Sequence, residues 1–274
     1  YDNWFPSINA RYEIRDDLIF RAAYSTSIGR PNAGQIAPRI GIEKDEDDET
    51  EAEFGNPDLV AQEADNFDVT LEWYINRDSV LQAGVFYKSI SDFIAGVGVE
   101  DVVVNGVLID EGSTFANLDD ADLTGIELNY QQAMTFLPGA WDGIIATVNY
   151  TWTDSETSFQ GREIQLPRQA DQVANVILGY EKGPLDLRLA WSYRDEYIDE
   201  LNHAGEGIDR IVTEHDSVDV SAKYDFTEQV RGFVELKNIF DEPFLAVVRN
   251  ERGEFNSQFE EYGFSAVFGV SYRH

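Results

Sequence analysis

The chain has 274 residues, 43% of them hydrophobic, with 52 acidic side chains against 20 Lys and Arg for a net charge of -32. That balance argues against nucleic acid as a partner, because phosphate binding needs clustered Lys and Arg. With no cysteine, disulfides and thiolate zinc sites are excluded. No run of 18 or more apolar residues is present, so no transmembrane helix is expected. A membrane strand hides its hydrophobicity in every second residue and is not excluded by this.

Period-two alternation recurs along the whole chain, whereas helical periodicity is scarce. Eleven strands are predicted, and their apolar phases run from Ile8 to Ile14, Leu18 to Tyr24, Phe67 to Trp73 and Leu81 to Tyr87. They continue from Ile126 to Tyr130, Ile144 to Trp152, Ala174 to Tyr180, Leu185 to Tyr193 and Val218 to Tyr224. The last two run from Val230 to Phe240 and from Phe264 to Tyr272. The opposite phases are polar, as in Ser7, Asn9, Arg11 and Glu13. A soluble sandwich alternates in the same way, so two further features decide.

Connection length is the first. "RDD", "INRDS", "KGP", "DFTEQ" and the slightly longer "MTFLPGAWDG" alternate with long connections near residues 28–64, 92–122, 154–170, 195–214 and 241–261. One rim then carries tight turns and the other all the large loops, the asymmetry of outer-membrane barrels. The second feature is aromatic placement. Tyr12, Trp73, Tyr130, Tyr180, Tyr224 and Tyr272 fall at the short-turn ends of apolar phases. Tyr24, Tyr87, Tyr150, Trp152, Trp191, Tyr193 and Phe240 fall at the long-loop ends. Two aromatic belts bounding an aliphatic band match the preference of Tyr and Trp for bilayer interfaces. The expected fold is therefore an all-β transmembrane antiparallel barrel, of which these eleven strands are a part. Parity places Tyr1 on the extracellular rim and the C-terminus at the periplasm, and an odd count leaves the first strand to pair with strands outside this sequence. The opening at Tyr1, with no signal-like segment, is expected of a mature chain or a fragment.

Among the long connections, "EKDEDDETEAE" (43–53) is expected to be a solvated, partly disordered loop, since it lacks the ligand spacing of a calcium site. "VVVNGVLI" (102–109) carries an Asn105-Gly106 turn signal and predicts a hairpin. "FLAVVRNERGEFNSQF" (244–259) predicts that the last hairpin extends well beyond the membrane.

Catalytic chemistry has little support. His215 and Ser217 have the His-x-Ser spacing of an outer-membrane phospholipase, but they share the polar phase with Asp219 and Lys223 and would face the lumen. No phosphate loop, metal motif or nucleophile elbow is present, and no catalytic residue, metal site or cofactor is assigned. Arg21, Lys88, Arg188, Arg194, Arg231 and Lys237 also lie in the polar phase, where ion pairing inside the lumen is expected.

Several segments resemble the barrel of TonB-dependent outer-membrane receptors. They are "WFPSINARYEIRDDLIFRAAYSTSIGRPNAGQIAP" (4–38), "GNPDLVAQEADNFDVTLEWYINRDSVLQAGVFYKSISDFI" (55–94), "GIELNYQQAMTFLPG" (125–139), "ELKNIFDEPF" (235–244) and the closing "EYGFSAVFGVSYRH". The resemblance spans the chain and is nearest to the branch found in Caulobacter- and Xanthomonas-like bacteria. It implies that residues 1–274 are the C-terminal half of a 22-stranded barrel, without the N-terminal plug. It further implies TonB-energised uptake of a nutrient, oligosaccharide before ferric siderophore, across the outer membrane of a Gram-negative cell. The implied partners are the TonB–ExbB–ExbD complex through the missing N-terminal part, the lipid bilayer with its lipopolysaccharide, and a small ligand. A non-transporting barrel, such as an adhesin or lipid hydrolase, is the alternative. No family ligand residue transfers by position, so the substrate-binding candidates are the loop and rim cations Arg30, Arg39, Arg162, Arg168 and Arg194. The alternating end resembles a barrel-assembly signal, which normally closes on Phe or Trp where this chain has His274.

Overall fold

The structure, a computed structural model, describes residues 4–44, 50–250 and 253–273. His274 and acidic residues 45–49 lie outside the described residues. The strands are β1 (Ser7–Arg15), β2 (Leu18–Gly29), β3 (Ile40–Lys44), β4 (Thr50–Phe54), β5 (Gln62–Asn76), β6 (Ser79–Ser91) and β7 (Ile94–Val104). Next come β8 (Val107–Asn117), β9 (Ala121–Ala133), β10 (Ile144–Phe159), β11 (Arg162–Ile164), β12 (Gln172–Lys182), β13 (Leu185–Arg194) and β14 (Tyr197–Glu200). The chain finishes with β15 (Asp209–Val212), β16 (His215–Asp225), β17 (Val230–Lys237), β18 (Phe244–Asn250), β19 (Gly253–Glu260) and β20 (Ser265–Tyr272). The only α-helix among the described residues is a single turn, Ala33–Ile36, capped by the Asn32 side chain.

A wall of eleven strands, in the order β1-β2-β5-β6-β9-β10-β12-β13-β16-β17-β20, forms one antiparallel sheet, with β11 attached to β10. Each wall strand contains one of the eleven predicted apolar phases, and the register carries those phases across the sheet on one face. Phe20 pairs with Leu71, Leu71 with Ala83 and Ala83 with Leu128. Leu178 pairs with Leu189, Leu189 with Val220, and Val234 with Phe268. Because ladder partners stand on the same side of a sheet, one alternating strand forces its phase on the next. The resulting outer face exposes Val69, Leu71, Val85, Leu128, Leu178, Leu189, Val234 and Phe268. A soluble protein rarely exposes a continuous apolar surface on this scale.

The aromatic belts sit where expected at most positions. Tyr24 and Phe67 have ring centroids 4.9 Å apart, and Phe67 and Tyr87 6.2 Å. Their polar ends point to the rims: Tyr24 donates to Asp65 at 2.7 Å, Trp191 to Asp216 at 3.2 Å and, at the short-turn rim, Trp73 to Asp17 at 3.1 Å. Phe240 departs from expectation. β17 ends at Lys237, and Asn238 and Asp241 take positive φ values of 51° and 57° in a tight turn, so Phe240 leaves the ladder and is exposed.

The long connections fold into sheets of their own. One is β3-β4-β8-β7, the other β14-β15-β18-β19. The predicted Asn105-Gly106 turn joins β7 to β8, with φ of +51° and +83° at the two positions. The acidic segment is not simply a loose loop, since its flanks pair as β3 and β4 with Glu43 opposite Glu51. Segment 244–259 forms the predicted hairpin, β18 with β19. That hairpin does not prolong the wall strands β17 and β20, because it turns aside to pair with β15. The tightest packing lies in this region: Ala95, Val97, Leu118 and Leu201 form a buried cluster, and Leu201 and Ile109 are fully inaccessible.

Candidate functional site

The long-loop rim is where the sequence places its binding candidates, and the fold brings three of the five against one segment of it, residues 197–209. Arg162 begins β11 and reaches across to the connection between β14 and β15. Its guanidinium holds both oxygens of Asp209 at 3.0 Å and the Asn202 side-chain oxygen at 3.2 Å. Asn202 is buried at a positive φ of 54°, and its own oxygen accepts the Gly207 amide at 2.9 Å. Asp209 raises the pKa of Arg162 above its ordinary value through this hydrogen bond. Such a bidentate pair fixes geometry as much as it supplies energy.

Arg168, also in left-handed backbone with φ of 63°, pairs with Asp199 at 3.3 Å and donates its amide to the Ile198 carbonyl at 2.6 Å. Asp199 is shared with Arg210. Arg194, at the end of β13, lays its guanidinium 4.7 Å from the centroid of the Tyr197 ring. Its Nε is buried without a hydrogen-bond partner among the described residues. Arg30 and Arg39 lie apart from these three, exposed on either side of the helical turn that precedes β3.

Arg249 of β18 is a cation of this rim that the sequence reading did not single out. It grips Glu196 through two contacts of 2.9 Å and Glu254 at 2.7 Å. The Arg249 hydrogen bond holds the Glu196 carboxyl below the usual glutamate range, and Glu196 in turn raises Arg249. A recess of about 450 Å³ opens beside this pair, lined by Gln165, Asp171, Asp195, Glu196, Thr213, Glu214, Arg249 and Glu254. Burial pushes the Asp171 carboxyl up, opposed by the Gln165 amide and reinforced by Asp195, Asp154 and Glu196. The recess is a set of carboxylates and one amide around one neutralised arginine, suited to ligands that donate many hydrogen bonds. Arg249 sits in a run whose hairpin was legible but whose contact with Glu196 spans 53 residues of sequence, so no local pattern marked it.

The inner-face cations divide. Arg21 pairs with Glu72 at 2.7 Å, Arg188 with Asp186 at 3.3 Å and Arg231 with Asp225 at 2.6 Å. Lys88 instead stands 5.8 Å from the Phe86 ring centroid, and Lys237 makes no ion pair among the described residues. His215 and Ser217 share a face of β16, but the Ser217 hydroxyl pairs with that of Ser192 at 2.9 Å. No hydrogen bond joins His215 to Ser217 among the described residues.

An antiparallel wall with an apolar outer face, short turns at one rim and folded loops at the other is the geometry of an outer-membrane barrel wall. The chain belongs to the TonB dependent receptor-like β-barrel family, whose model matches residues 1–239. Among solved structures it is similar to the ferric enterobactin receptor PfeA of Pseudomonas aeruginosa, with 15% identity over 98% of this chain and 40% of that one, at a TM-score of 0.65. The siderophore receptor PirA of Acinetobacter baumannii gives 17% identity, 98% and 41% coverage and a TM-score of 0.64. The copper transporter OprC gives 16%, 98% and 39%, with a TM-score of 0.69. At such identities the likeness establishes the fold alone. The chain spans about two fifths of the length of these structures. No curated protein matches it in sequence.

Proposed function

We infer that residues 1–274 are the C-terminal eleven strands of a 22-stranded outer-membrane barrel that takes up a nutrient by TonB-dependent transport. The observation that carries this reading is the unbroken apolar outer face across the wall of a receptor-family chain. The long-loop rim is extracellular and the short-turn rim periplasmic. A plug domain and TonB contact, supplied by the N-terminal part of the receptor, couple the ligand to the TonB–ExbB–ExbD complex. Lipid and lipopolysaccharide cover the outer wall, and nucleic acid is not a partner. In this reading the chain is a transporter component and not an enzyme, which is supported by its receptor family and by the place of His215 and Ser217 on the face of β16 opposite Val218 and Val220.

An oligosaccharide is the favoured cargo. A ferric siderophore is usually anionic and calls for free cations, yet Arg162, Arg168, Arg210 and Arg249 are all committed to carboxylates. The recess beside Arg249 instead offers carboxylates and an amide that accept from sugar hydroxyls. The siderophore reading is second, and Arg194 favours it as a rim cation without an acidic partner among the described residues. Calorimetry of the full receptor with neutral oligosaccharides and with ferric siderophores separates the two. Saturable heat with the sugars alone is expected, and binding of the siderophores alone overturns the cargo assignment. Uptake that persists after deletion of TonB overturns the transport reading.

A further inference from the structure

The outer face of β1, β2, β5 and β6 carries two recesses stacked one above the other. The register defines the layers. Tyr24, Phe67 and Tyr87 form one outward row of the aromatic belt. The next row toward the membrane centre is Ala10, Ala22, Val69 and Val85. Because Ala10 and Ala22 lack bulk between larger neighbours, the wall dips there into an apolar groove of about 530 Å³. Thr26, Asp65 and Ser89 form the row on the other side of the belt, toward the long-loop rim. With Glu63, Ser91 and Asp120 they line a polar recess of about 490 Å³, bounded by the exposed ring of Trp4.

The belt separating the two is held in place by the chemistry of the upper recess. Tyr24 donates to Asp65 at 2.7 Å and Tyr87 to Asp122 at 2.5 Å, so the hydroxyls point up and the ring faces border the groove. The Thr26 hydroxyl is buried and has no hydrogen-bond partner among the described residues. A buried polar atom of that kind is stabilised when a ligand or water pairs with it. An apolar groove and a polar recess on opposite sides of an interfacial belt match one kind of occupant, an amphiphile that crosses the belt with its chain below and its head above. Asp65 and Asp120 in the upper recess oppose an anionic head and accept hydrogen bonds from hydroxyls.

We propose that this surface is a binding site for a single outer-leaflet glycolipid, its acyl chain along Ala10 and Ala22 and its uncharged sugar head against Thr26, Asp65 and Ser89. The site rests on the membrane placement inferred above but not on the cargo. The full receptor, exchanged from detergent into amphipol, is incubated with a neutral glycosyl-diacylglycerol or with phosphatidylglycerol and examined by native mass spectrometry. One glycolipid is retained per receptor, and retention falls at least about fivefold in Ala22→Phe, which fills the groove. Thr26→Val, which removes the hydroxyl at constant shape, weakens retention in the same direction. Ala222→Phe, on the outer face of β16 far around the wall, leaves it unchanged. Equal retention of phosphatidylglycerol, or unchanged retention in Ala22→Phe, overturns the proposal. A receptor that binds neither lipid also overturns it, while failure to insert into bilayers overturns the membrane placement itself.

Discussion

At the scale of the residue, the rim is built from arginines that hold separate segments together. Arg162 is the clearest, because its carboxylate partner Asp209 is largely buried and also receives the Asn202 amide at 3.0 Å. Removing the guanidinium leaves a buried carboxylate short of donors, a change that costs about 1–3 kcal/mol. Arg162→Ala is therefore expected to loosen residues 197–212 locally, read as lost hydrogen-exchange protection there with the wall strands unchanged. Asp171 and Glu196 respond to pH with opposite signs. Glu196 has a depressed pKa, so the stability it gains from Arg249 is present at neutral pH and is lost as pH falls below the ordinary glutamate value. Asp171 has a raised pKa, so its charge is a burden at neutral pH that is relieved as pH falls through that raised value. Asp171→Asn is expected to raise the melting temperature at neutral pH, and the gain disappears on acidification. A gain that persists at acidic pH contradicts the assignment.

At the scale of the element, the two loop sheets act as one unit because β7 and the end of β14 touch. The Gly98 amide donates to the Leu201 carbonyl at 2.7 Å, and Leu201 returns a bond to Gly96 at 3.3 Å. A Cβ on Gly98 would stand 2.3 Å from the Asn202 carbonyl oxygen, so only glycine permits this approach. Gly98→Val forces the sheets apart at a cost of about 1–3 kcal/mol. The expected signature is faster amide exchange at Leu201 and through β14, with β5 and β6 unaffected. This level also marks where the sequence stops being readable. The eleven wall strands were legible because lipid on one side and polar surface on the other impose a strict period of two on each strand separately. The β7–β8 hairpin was legible through Asn105-Gly106, a local turn signal. The pairing of β15 with β18 was not, because Val212 meets Ala246 across more than thirty residues and both strands are short and irregular in pattern. The arginine candidates fared in the same way: their position at the rim followed from loop length, whereas the carboxylates that occupy Arg162 and Arg168 depend on tertiary contact.

At the scale of the whole molecule, the wall is a sheet with two long edges. Among the described residues, β1 pairs only with β2 and β20 only with β17. Unpaired backbone amides and carbonyls are costly in hydrocarbon, so these edges need strands on either side for the wall to lie in a bilayer. The outer face must then meet lipid everywhere, and a charge inserted there tests the placement directly. Leu189 of β13 stands between Leu178 and Val220 on that face, in the aliphatic band between the two aromatic belts, while its neighbour Arg188 points to the interior beside Asp186. Leu189→Arg is expected to cost ~2–4 kcal/mol of barrel stability near the bilayer midplane. In the complete receptor, Arg188→Leu removes only an exposed pair of the interior, worth about 0–1 kcal/mol. Folding titrations of both variants into lipid vesicles measure the difference. Equal losses for the two would mean that the apolar face does not contact lipid, and a larger loss for Arg188→Leu would mean that the faces of the wall are reversed.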